Sequence, residues 1–164
     1  MDLTKISTGE KVIGIAGIVL FIDSFLGWLG AKADLGPLGS SSEAGSAWDF
    51  TLPTVAVLIG ILLVVVVVLR VFGVGVPEQL GPVGLGFAYL VLGAFAFLLV
   101  LIKLIVGPDM PELASQFGVE ATREIGIFIG LICTAGLAAG GYLVAKEKGQ
   151  LQLPKGGGST PPAA

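Results

Sequence analysis

Two ionisable residues, Asp23 and Lys103, interrupt stretches that are otherwise apolar. Asp23 precedes Trp28 by five residues on one apolar stretch, and Lys103 precedes Gly107 by four on another. At helical rise these positions lie about 7 Å and about 6 Å beneath their respective ends. Matched depths make an intramembrane ion pair between Asp23 and Lys103 geometrically feasible. An ionisable group inside a span costs about 3 kcal/mol or more unless it is partnered or reaches the interface, and pairing offsets part of that cost. The same residues admit two other readings. Lys103 can snorkel to the interface while Asp23 sits in a wet notch beside Ser24, or both can line a path for protons or ions.

A second pattern is a seam of small residues. Gly126, Gly130, Gly136 and Gly140 form two GxxxG units, with Cys133, Thr134, Ala138 and Gly141 near the same side. Such seams let helix backbones approach closely. Packing within one bundle is the first expectation, and a dimerisation face the second. Gly81, Gly84 and Gly86 have the look of a phosphate-binding loop, but no strand precedes them and the helix they open is itself apolar, which argues against nucleotide. Glu112, Glu120 and Glu124 read as a solvated acidic face with no cleft around them. Trp28, Trp48 and Phe50 read as interface anchors.

What is missing is equally informative. Histidine is absent and Cys133 is the single cysteine. That removes intrachain disulfides, Cys/His zinc sites, histidine-ligated haem and histidine acid–base catalysis. The nucleophile–base sets of covalent enzymes are absent too. The chain therefore reads as a non-enzyme with no catalytic, metal or cofactor-binding residues.

These residues must be positioned by helices in a bilayer. Of 164 residues, 54% are hydrophobic and only 13% charged, against roughly 25% charged in soluble domains. Leu52 to Phe72 contains one charge, Arg70, and a run of five valines from Val64 to Val68. Valine favours strands in water. In lipid an isolated strand leaves its backbone groups unpaired, so a helix is expected. Spans are expected at about 12–30, 52–72, 83–106 and 125–145, giving an all-α four-transmembrane-helix bundle within a membrane domain over 1–148. Ser7-Thr8-Gly9-Glu10 fits a capping box ahead of the first span. A rival reading makes that span a signal peptide, with Ala31-Lys32-Ala33 as the cleavage site. The second outer loop is expected to carry a short interfacial helix, in which Leu113 and Phe117 share a face. The tail over 149–164 is rich in glycine and proline and reads as disordered.

Orientation follows the basic residues. With both termini cytoplasmic, Lys5, Lys11, Arg70, Lys146, Lys148 and Lys155 lie inside, while Lys32, Lys103 and Arg123 lie outside. Six against three favours N-in and C-in. A net charge of −3 without a basic patch gives no nucleic-acid partner.

The motifs Ser7-Thr8-Gly9-Glu10, Phe25-Leu26-Gly27-Trp28, Ala47-Trp48-Asp49 and Gly140-Gly141-Tyr142-Leu143 give the chain a layout that resembles the small four-helix integral membrane proteins of actinobacteria. The resemblance covers residues 5 to about 150 and implies a multi-pass membrane fold, with no activity or site residues to carry over. Animal claudins are similar in topology alone, and their extracellular cysteine pair is missing here. The expected function is structural or accessory, in the cell membrane, through helix packing and contacts with lipid, a membrane-protein partner or further copies of the chain. The alternative is a small oligomeric transporter or channel that uses Asp23 and Lys103.

Overall fold

The computed structural model describes residues 6–151; most of the tail expected over 149–164 lies outside them. Four long helices dominate: α1 (Thr8–Asp23), α2 (Thr51–Val71), α3 (Leu85–Val106) and, after the five-residue α4 (Glu112–Gln116), α5 (Ile125–Glu147). Strands β1 (Leu29–Asp34), β2 (Ser40–Gly45), β3 (Gln79–Leu80), β4 (Val83–Gly84) and β5 (Val119–Arg123) lie in the connections. Three helices, α2, α3 and α5, are long and apolar enough to cross a membrane. Their bounds follow the expected spans closely, valine run included.

The first span differs. Its helix ends at Asp23 after 16 residues, about 24 Å of rise against a hydrocarbon core of about 30 Å. The apolar residues beyond it, Phe25 to Gly30, do not extend the helix. Trp28 N–H already donates to Gly45 O at 2.8 Å, and Glu124 N–H donates to Trp28 O at 3.0 Å. Apolar count alone marked this stretch as helix, whereas its backbone finds sheet partners.

The all-α expectation is therefore corrected. Both loops at that end contribute to one antiparallel sheet in the order β2-β1-β5. Leu29 faces both Gly45 and Arg123, and Ala31 faces both Glu43 and Ala121. Serine, glycine and alanine are poor strand formers. Pairing arises because the backbone outside the helices must satisfy its hydrogen bonds somewhere, and the helix ends hold these two loops side by side.

Helix α1 packs on α2 and α5, and α3 packs on the same two helices from the other side. Close approach comes from glycine. A Cβ on Gly93 would lie 2.6 Å from Ala138 N, and one on Gly140 would lie 2.8 Å from Gly9 O. Either distance is impossible without backbone movement, so α3 and α1 meet α5 nearly backbone to backbone. The shared core includes Ile13, Leu20, Val57, Leu63, Leu137 and Val144. Facing outward are Ile15, Ile22, Ile105 and Ile132, each well over half exposed. Helices with apolar residues on both inner and outer faces are suited to hydrocarbon surroundings.

At the end opposite the sheet, the capping box forms as expected. Glu10 N–H donates to Ser7 Oγ at 3.2 Å, and Ser7 N–H donates to Glu10 Oε2 at 2.9 Å. The glycine loop before α3 is a tight β3–β4 hairpin turned by Gly81 at φ +66°. The first free amide of α3, Gly86 N–H, donates to Gln150 Oε1 at 2.8 Å. The position that a phosphate would need is filled by the chain itself.

Candidate functional site

Two polar clusters stand at opposite ends of the helices. At the sheet end, Asp23 is the last residue of α1 and is only 2% exposed. Neither carboxylate oxygen has a hydrogen-bond partner. The carboxylate points at α5, where a Cβ on Gly130 would lie 3.2 Å from Oδ2. Glycine at 130 is thus what admits the side chain. Trp28 closes over the same place. It is completely buried, and its indole Nε1–H donates to the backbone carbonyl of Asp23 at 3.0 Å. Its ring packs on Gly126 and Gly130. The expected interface anchor is therefore an interior plug, because its segment folds inward between α1 and α5. Trp48 stays partly exposed and donates its Nε1–H to Ser24 Oγ at 3.1 Å.

Lys103 is buried at the same end but does not meet Asp23. Its Nζ donates to Asp109 Oδ2 at 2.6 Å and lies 5.2 Å from the centre of the Phe50 ring. Asp109 follows the Gly107-Pro108 turn, which folds the loop back over α3. Aromatic and carboxylate contacts together hold the ammonium group at the helix end. Nearby, Arg123 at the end of β5 donates to Leu104 O at 2.7 Å and to Ile105 O at 3.2 Å, capping the last turn of α3.

The four glycines of the seam have different neighbours along α1 and the segment after it. Gly126 faces Gly27 and Trp28, Gly130 faces Trp28 and Asp23, Gly136 faces Ala16, and Gly140 faces Gly9 and Ile13. The seam is filled within the chain. Gly141, just off it, meets the backbone of α3 at Tyr89 and Leu90. Cys133 is buried beside the seam, and Thr134 donates its hydroxyl to Gly130 O at 2.9 Å.

Sequence reasoning missed the second cluster. Glu10 is 1% exposed, and its Oε1 accepts from Arg70 on α2. The other guanidinium nitrogen of Arg70 reaches Glu78 Oε1 at 3.3 Å, and Lys148 Nζ reaches the same oxygen at 3.1 Å. One charged chain thus joins α1, α2, the loop before α3 and the end of α5. Hydrogen bonding and charge from Lys148, with the charge of Arg70, hold the Glu78 carboxyl below its ordinary value of 4.5. The signal existed in the sequence: Glu10 is the one acid in the first turn of α1, and Arg70 is the one charge in α2, at the matching end.

On the sheet, Lys32 and Glu120 are register partners, and Thr122 Oγ1 donates to Glu124 Oε1 at 3.1 Å. Asp34 and Glu120 line one small pocket on the sheet together with Lys32 and Gly118, so the expectation of no cleft around Glu120 is corrected. Among the described residues, no group of three or more His, Cys, Asp or Glu side chains is placed to hold a metal ion. No family model, curated protein or solved structure matches the chain.

Proposed function

We propose that this chain is a multi-pass protein of the cell membrane with a structural or accessory role. In this reading all four long helices form a membrane bundle, both termini are cytoplasmic, and the β2-β1-β5 sheet stands on the outer side. The function is exercised through contacts of that sheet and of the lipid-facing helix surfaces with a membrane-protein partner.

One observation carries this reading: the two connections at one end are built into a single folded sheet, while the helices beneath are packed backbone to backbone. A conducting protomer needs polar groups facing a wet path. Here Glu10, Arg70 and Lys103 are committed to partners at the span ends, and Asp23 is enclosed by the protein rather than facing a wet path. The folded sheet gives a partner a fixed surface, with Leu38 at its hairpin tip 88% exposed. Placing Arg70 and Lys148 inside accords with the excess of basic residues expected on the cytoplasmic side. Leu113 and Phe117, exposed around α4, would rest at the outer interface.

The test is crosslinking in native membranes together with flux measurements on the purified protein in liposomes. An accessory protein gives one discrete crosslinked species, weakened by Leu38→Asp, and no solute or ion flux. Flux that disappears in Asp23→Asn would overturn the reading in favour of a transporter.

A further inference from the structure

We propose that Asp23 is a proton-binding site of the membrane domain, holding its proton at neutral pH. The inference is independent of the accessory role. It rests on the unpartnered, buried carboxyl group and on where the neighbouring side-chain donors are aimed.

Neither oxygen of Asp23 has a partner, although the residue is 98% buried by the protein itself. An ionised carboxylate in such a place requires a cation or several N–H and O–H donors. Apart from the weakly donating Cys133 thiol, the side-chain donors described at this end are aimed elsewhere. The ammonium group of Lys103 is on Asp109. The indole of Trp28 serves the backbone carbonyl of Asp23 and not its side chain. Ser24 donates its hydroxyl to Phe21 O at 2.6 Å, and the Trp48 indole donates to that same hydroxyl oxygen. Thr134 donates back to its own helix, and Arg123 caps α3.

Two further features weigh against a negative charge. Asp23 ends α1, where the backbone carbonyls form the negative pole of the helix. On α5 its carboxyl meets Gly130, which offers space but no donor. The titratable and charged groups on the surrounding elements are Cys133 on α5, Lys103 on α3, Arg123 on β5, and Asp49 and Glu124 in the segments leading into α2 and α5. Lys103 and Arg123 are the two cations among these five; Lys103 is paired with Asp109 and Arg123 caps α3. The remaining three are acids or a weakly acidic thiol, and add no positive charge. A proton is the one cation that neutralises the group without a coordination shell. A sodium ion would need several further oxygens around it, and the only unpartnered buried side-chain oxygens described at this end are the two of Asp23.

The test is infrared spectroscopy of the full-length protein in lipid bilayers at pH 7. The expected result is a protonated-carboxyl band that shifts in deuterium oxide and is absent from Asp23→Asn. Absence of that band from the wild-type spectrum at pH 7 overturns the proposal, and so does its persistence in a folded Asp23→Asn protein.

Discussion

Replacing Glu10 by Gln should unlock the end of the molecule opposite the sheet, and the size of the effect can be worked from its surroundings. Glutamine at this position still reaches back to Ser7 N–H, so the capping box survives. What is lost is the charge facing Arg70. Removing one partner of a buried ion pair costs about 3–5 kcal/mol. Arg70 keeps 18% side-chain exposure and a second partner, exposed Glu78, which places the cost near the lower end, about 3 kcal/mol. That is roughly a hundredfold in the unfolding equilibrium. Part of it is the loss of an acid from the first turn of α1, about 0.3–1 kcal/mol. This part is common to the single and double variants and cancels in a double-mutant cycle. Arg70→Met keeps much of the side-chain length and removes the opposite charge. The double variant Glu10→Gln/Arg70→Met leaves neither charge stranded, so it should be more stable than the sum of the single losses implies, by about 2–3 kcal/mol. The assay is reversible unfolding in mixed detergent micelles, followed by near-ultraviolet circular dichroism of the buried Trp28. Additivity within about 0.5 kcal/mol would refute the reasoning, because it would mean that Glu10 and Arg70 do not meet.

Two further outcomes test the sheet and the loop that completes the charged chain. Ala31 and Ala121 are register partners on β1 and β5, and directly opposed strand residues have the Cα separation that a disulfide needs. A double variant Ala31→Cys/Ala121→Cys, made with Cys133→Ala, should crosslink rapidly under mild oxidation, and failure to do so in folded protein would show that the two loops do not pair. The folded-state value of Glu78 is depressed by Lys148 and Arg70, so its contribution to stability is complete above its ordinary value and is lost as pH falls through the folded one. The stability difference between wild type and Glu78→Gln should therefore shrink as pH falls below 4.5, and high salt should shrink it at pH 7 as well, because the carboxylate is exposed. A difference independent of both pH and salt would count against the ion pairs.

The sequence by itself determined the long helices α2, α3 and α5, because about twenty apolar residues in a row leave the backbone one good solution in hydrocarbon. It also determined the Ser7–Glu10 cap, since that hydrogen-bond pair is local, and it singled out Asp23, Lys103 and the α5 glycines as the unusual residues of their spans. It did not reveal their partners. Lys103 turns to Asp109 because the turn at Gly107-Pro108 brings that carboxylate back over α3, and Asp23 is left among donors already in use. The end of α1 was misread because Phe25 to Gly30 is as apolar as a helix interior; what stops the helix is the pairing of Trp28 with Gly45 and Glu124, residues 17 and 96 positions away. Strands of alanine, glycine and serine carry no local signature, so the sheet exists only once the helices have gathered its pieces. The same holds for Trp28, whose ring is interior because α5 offers glycines at 126 and 130. Local chemistry fixed which segments are helical, while non-local hydrogen bonding and close packing decided which polar groups are satisfied and which, Asp23 and the Tyr89 hydroxyl among them, are left without a partner.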